Sequence, residues 1–202
     1  MCWNESVSMN TFIFGSFAVL FSYFNNILDI YQSLLLISIF AIQLVEFFIW
    51  RNINNKEKNK LYSDVAEKLL VIQPLLSILT ITNNNFKIIG FIIYLIYIGI
   101  LEIKRFSNKL SIPNFSSIGK NKHLRWDWLT KNPYYIMIYL ILLIGPILLW
   151  KDKFIAIISI ITLIISLIFF AKDGTWGSIW CWSSNIIALY LVYKVFAKEL
   201  CI

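Results

Sequence analysis

The residues Gly174-Thr175-Trp176-Gly177-Ser178-Ile179-Trp180-Cys181-Trp182-Ser183-Ser184-Asn185 put three Trp, one Cys, three Ser and one Asn at the head of the last hydrophobic segment. On a helix, side chains three or four apart share a face, so Ser178, Cys181, Trp182 and Asn185 are presented together, with Trp180 beside them. Such a face could supply a thiol or hydroxyl nucleophile, or one wall of an aromatic pocket with polar groups in it. Its bland alternative is close helix packing through Gly and Ser with a belt of interfacial Trp. Gln43 and Glu46, three apart, share a second face about one turn in from Trp50. A carboxylate at that depth costs a few kcal/mol unless it turns inward to a partner. Glu46 therefore reads either as a scaffold ion pair with Lys68 or Arg51, or as a ligand or proton group. Gln73, next to Pro74, adds an amide where the helix loses a backbone donor and is free to bend. Trp3 stands close to the N-terminus, and His123, the single His, falls in a loop and reads as an interfacial or solvated side chain.

The elements that must position these residues are membrane helices. Hydrophobic residues make up 59% of the 202-residue chain and charged ones 14%, a composition foreign to a soluble domain. A helix needs roughly 20 apolar residues to cross a hydrocarbon core of about 30 Å. Seven candidate spans are present, at about 8–24, 30–50, 64–81, 88–103, 134–150, 154–171 and 176–196. The expected fold is thus all-α, a single polytopic bundle of seven transmembrane helices, with the bilayer as its partner. The segment from Arg51 to Lys60 reads as a solvated loop. Lys104 to Lys131 reads as the longest loop, with an interfacial patch from Lys122 to Trp128. Lys151-Asp152-Lys153 forces a tight hairpin between the fifth and sixth spans. No internal repeat is visible, which argues against a repeat-built transporter.

Net charge is +7, but the basic residues lie between the spans, where they report topology rather than nucleic-acid binding. With seven spans, the side opposite the N-terminus keeps only Lys87, Lys151, Lys153, Lys194 and Lys198 of the 18 basic residues. That asymmetry predicts a cytoplasmic N-terminus and a C-terminus on the other side, and leaves the glycosylation acceptors at Asn4 and Asn114 unmodified in the cytosol. The chain shows no cleavable signal and no myristoylation motif, so the N-terminus is expected to be mature as written. Cys2, Cys181 and Cys201 are odd in number and lack a CxxC spacing, so neither a disulfide framework nor a zinc site is expected, and nothing calls for a cofactor.

Antiparallel packing puts the starts of odd spans and the ends of even spans at one level. Glu46, Gln43, Gln73, Trp3 and the Trp-rich stretch would then converge on the cytoplasmic half. Retinal chemistry, which needs a Lys deep in the last span, is disfavoured because Lys194 falls near that span's far end. A zinc-dependent ceramidase-like hydrolase is disfavoured because one loop His cannot supply its ligands.

The opening Met1-Cys2-Trp3-Asn4-Glu5-Ser6, Gln43-x-x-Glu46, Gln73-Pro74, His123-Leu124-x-Trp126-x-Trp128 and Gly177-Ser178-Ile179-Trp180-Cys181-Trp182 together resemble an uncharacterised family. Its members are small polytopic membrane proteins of bacteria and large DNA viruses that begin Met-Cys-Trp. The resemblance spans most of the chain and implies a membrane fold without assigning an activity. The family pattern carries a His where this chain has Leu69, which weighs against a metal or proton relay there. The Ile-, Asn- and Lys-heavy composition looks like that of an AT-rich genome such as a large virus's.

Three functions fit these residues. The first is binding or transport of a small polar, cationic or amphipathic molecule in a Trp-lined pocket of the cytoplasmic half, formed by Glu46, Gln43, Gln73, Ser178, Trp180, Cys181, Trp182, Asn185 and Trp3. The second is an intramembrane enzyme acting on lipid, with Cys181 or a nearby Ser as nucleophile and Glu46 or His123 as base. The third is a structural or assembly protein whose polar residues lock the bundle.

Overall fold

A helix leaves its first N–H groups without partners, and this chain satisfies them with the Asn and Asp residues between its hydrophobic runs. Asn4 accepts from Val7 N–H at 2.9 Å to open α1, Glu5–Phe24. Asp29 and Gln32 form a reciprocal capping box at the start of α2, Ile30–Arg51. Asn55 caps α3, Lys56–Leu79, through Lys58 N–H at 3.1 Å, and Asn83 accepts from Asn85 and Phe86 N–H to open α4, Asn84–Ser107. After a short hairpin of β1, Ser116–Ile118, and β2, Leu124–Trp126, come α5, Pro133–Ile147, α6, Phe154–Phe170, and α7, Trp176–Leu200. The computed structural model describes residues 4–107, 115–127 and 133–200, with backbone alone at 104–107, 133, 199 and 200.

Seven helices therefore account for most of the described chain. Four of them, over Glu5–Phe24, Ile30–Arg51, Asn84–Ile103 and Trp176–Lys198, are long and apolar enough to cross a membrane. Tyr134–Ile147 and Phe154–Phe170 are apolar but shorter, and α3 carries Lys and Glu through its first turns. α3 begins at Lys56, not near Asp64, because Asn55 caps it and Lys and Glu are good helix formers. The expected loop thus shrinks to residues 52–55.

Hydrogen bonds between helices set their directions. Lys198 Nζ donates to Asn25 O at 2.9 Å and Asn185 Nδ2 to Thr11 Oγ1 at 3.0 Å, so α7 and α1 run the same way. Trp150 Nε1 donates to Thr80 Oγ1 at 2.8 Å and Ser77 Oγ to Leu143 O at 2.6 Å, so α3 and α5 are parallel too. Short turns join the other consecutive helices, the β-hairpin lying between α4 and α5. At the turn after α5, Asp152 Oδ2 accepts from Lys194 Nζ and Tyr190 Oη, both at 2.7 Å, tying it to the far part of α7. Burial alone would raise the Asp152 carboxyl, but those two bonds and a third from Phe154 N–H outweigh it and hold it below the ordinary carboxylate range.

α2 is the inner helix, with Leu35, Leu36, Phe40, Ile42 and Ile49 fully enclosed by α1, α3 and α7. The Phe40 ring lies where Gly15 of α1 leaves room: a Cβ on Gly15 would stand 2.0 Å from Phe40 Cδ1. α4 is the outer helix, packed chiefly on α3 and α5 and exposing Ile88, Ile89, Ile92, Ile93, Leu95 and Ile96.

The hairpin docks on the end of the bundle where α3 and α7 begin. The Asn59 side chain pairs with Ser116 as a neighbouring strand would, accepting from its N–H at 3.0 Å and donating to its carbonyl at 2.9 Å. Asn121 Nδ2 donates to Thr175 Oγ1 at 2.8 Å, at the head of α7. Leu124 and Trp126 are buried beneath the ladder. His123, expected at a wet surface, is buried as well, its ring edge-on to Phe170 at 5.7 Å. Its backbone is satisfied inside the hairpin, the N–H donating to Asn121 Oδ1 at 3.2 Å and the carbonyl accepting from Gly119 N–H at 2.8 Å, so the segment can leave water.

Candidate functional site

Serine and threonine on a helix return their hydroxyl protons to carbonyls three or four residues back. On α7, Ser183 Oγ donates to Trp180 O and Ser184 Oγ to Cys181 O, each at 2.5 Å. On α6, Ser159 Oγ donates to Ile155 O at 2.8 Å and Thr162 Oγ1 to Ile158 O at 2.7 Å. The Trp180 indole crosses between these helices and donates to Ser159 O at 3.0 Å.

From the other side, Gln73 Nε2 on α3 donates to Ser38 O at 3.0 Å. A carbonyl can only accept, so the amide orientation is set, and the 2.6 Å contact with Tyr139 Oη on α5 must run from the hydroxyl to Gln73 Oε1. Gln73, Ser38 and Tyr139 are all buried.

Between these two groups lies a partly open cleft of about 40 Å³. Gln73, Tyr139, Ser159, Thr162, Trp180, Cys181, Ser183 and Ser184 supply its polar and aromatic lining, while Ile39, Leu143, Ile144, Ile147 and Ile187 supply its apolar part. At about 10–15 Å³ for each water centre, it has room for roughly three waters. Cys181 is a free, buried thiol. Behind it, Glu46 on α2 is fully buried and accepts from Gln43 Nε2 at 2.9 Å, close enough to act electrostatically on the Cys181 sulfur. The cleft runs from Trp180, near the start of α7, to Ile147, the last residue of α5. It therefore crosses the middle of the bundle and is not confined to the N-terminal half, because Gln73 lies in the last turns of α3.

Of the residues singled out in the sequence, the structure brings Gln73, Trp180 and Cys181 to the cleft. Gln43 and Glu46 pair with each other behind it. Asn185 turns to α1, donating to Thr11 Oγ1, and also to Trp182 O at 2.9 Å. Ser178 is buried near the start of α7, and Trp182 is half-buried; neither lines the cleft. Trp3 lies outside the described residues. His123 sits in the hairpin and not at the cleft, so the thiol of Cys181 has no His base beside it. Among the described residues no three His, Cys, Asp or Glu side chains gather as metal ligands.

Sequence reasoning missed Tyr139, Ser159 and Thr162. A signal was present for α6, where Ser159, Thr162 and Ser166 fall three and four apart in an otherwise aliphatic helix and so share one face. Tyr139 carried none, since one Tyr among the aromatics of α5 is unexceptional. A second, open groove of about 400 Å³ lies between the hairpin and the turn after α6, with Lys120, Arg125, Asp127, Lys172 and Asp173 around it. Arg125 and Asp127 form an ion pair there. Searches against protein-family models, curated proteins and solved structures find no match to this chain.

Proposed function

We propose that this chain is a multi-pass integral membrane protein of seven spans that binds or carries a small polar or amphipathic molecule in the cleft between α3, α5, α6 and α7. The belt of exposed Ile, Leu and Phe around α1, α4 and α6 supports a bilayer setting, since a water-facing surface so continuous in apolar side chains would aggregate. α5, with 15 residues, reaches about 22 Å, and Leu148, Leu149 and Trp150 extend its apolar length. The placement of the basic residues supports a cytoplasmic N-terminus. The Met-Cys-Trp opening and the Trp-rich motif support kinship with the family they resemble.

The observation that carries the binding reading is the cleft itself. Four helices each turn polar side chains toward one space at a depth where polar groups otherwise cost free energy. Helix locking alone would be served by direct bonds between helices, as from Ser77 Oγ to Leu143 O, with no space left between them. The test is native mass spectrometry of protein released from mild detergent, comparing the parent with Ser184→Leu, which fills the cleft. A small molecule retained by the parent and lost from the folded variant supports binding. The same bound mass on both, or on neither, overturns it.

A further inference from the structure

We propose that the cleft is a site for a primary ammonium group, carried either by a small soluble amine or by the head of an amphipathic one. This assignment rests on the reading of the cleft as a binding site and names the chemistry it recognises. Its ground is the direction of the hydrogen bonds in the lining. Ser159, Thr162, Ser183 and Ser184 all give their protons to backbone carbonyls, and Tyr139 gives its proton to Gln73 Oε1. The Trp180 N–H is committed to Ser159 O. What these groups leave toward a ligand is lone pairs; beside them stand the weak donor of the Cys181 thiol and the second N–H of Gln73 Nε2, whose first goes to Ser38 O.

A carboxylate or phosphate placed there would meet mostly acceptors and lose most of the hydrogen bonds it had in water. An –NH3+ group carries three donors and no acceptor, the complement of such a lining. Glu46, buried behind Cys181, supplies a negative charge within Coulombic reach when ionised, and the Trp180 ring adds a cation–π surface. The size agrees, since space for roughly three waters takes an ammonium head with room to spare. A trimethylated nitrogen is bulkier and has no N–H to give.

The test uses Cys181 as the reporter. With Cys2→Ser and Cys201→Ser it is the last of the three cysteines, and the full chain in lipid nanodiscs is treated with methyl methanethiosulfonate while its mass is followed. Methylammonium and hexylammonium are compared with tetramethylammonium, hexyltrimethylammonium and hexanoate. The expected result is saturable slowing of Cys181 modification by a primary amine alone. Slowing by methylammonium marks a soluble amine as the source, and slowing by hexylammonium only marks an amphipathic one. Replacing Ser184 by Ala or Thr162 by Val should weaken that protection by about fivefold each, the worth of one hydrogen bond. Equal protection by the trimethylated compounds or by hexanoate, or modification that no compound slows, overturns the ammonium assignment while leaving an accessible cleft. Failure of Cys181 to react under any condition removes the cleft as a binding site, and the assignment with it.

Discussion

The Tyr139 hydroxyl on α5 donates to Gln73 Oε1 on α3 at 2.6 Å, and the bond from Gln73 Nε2 to Ser38 O prevents the amide from turning over. Three helices are thereby joined through one glutamine. Tyr139→Phe keeps the ring but leaves Oε1 without this donor, a loss of about 1–3 kcal/mol for a buried acceptor. The unfolding midpoint in mild detergent should fall accordingly. The double variant Tyr139→Phe/Gln73→Leu should lose less than the sum of the two single changes, because it leaves neither group stranded. Strict additivity would contradict the bond as described.

Gly15 and Phe40 make a second, apolar contact of the same kind. Phe40 is fully buried, so its ring has nowhere to go when a Cβ is placed 2.0 Å from Cδ1. Gly15→Ala should destabilise the bundle by about 1–3 kcal/mol through overpacking, and Gly15→Leu by more. Combining Gly15→Ala with Phe40→Leu should recover part of the loss in thermal unfolding. No recovery would place the damage somewhere other than this ring.

The docking of the hairpin should depend on Asn59 and on pH. Asn59→Leu removes both bonds to Ser116, and hydrogen exchange at Ser116 should speed by at least about tenfold, as befits two bonds of roughly 1 kcal/mol each. Burial holds the His123 pKa below its ordinary 6.5, with Asp173 opposing the shift. Docking is therefore at full strength above 6.5, where His123 is neutral in both states. It weakens as pH falls from there toward the native value, because the undocked hairpin takes up the proton first. The protection factor at Ser116, its rate taken relative to the intrinsic exchange rate at each pH, should fall across that window, and His123→Leu should abolish the fall. A pH-independent parent would show that His123 is wetter than its packing against Phe170 indicates.

The helices were legible because their signals are local. Runs of Ile, Leu and Phe interrupted by Asn, Asp and Lys mark where helices start and stop whatever packs against them, and the capping by Asn4, Asp29 and Asn55 is of that local kind. Gln73, Trp180 and Cys181 were legible because polar and aromatic groups in apolar helices are rare enough to be noticed singly. What the sequence could not carry is which polar residue meets which. Glu46 and Asn185 have the same credentials as Gln73, yet one pairs with Gln43 behind the cleft and the other turns to Thr11. That choice depends on helix rotation and relative height, which are set by contacts distant in sequence such as Gly15–Phe40 and Ser77–Leu143. The direction of each hydrogen bond, and with it the acceptor character of the cleft, likewise exists only once a carbonyl stands opposite each hydroxyl.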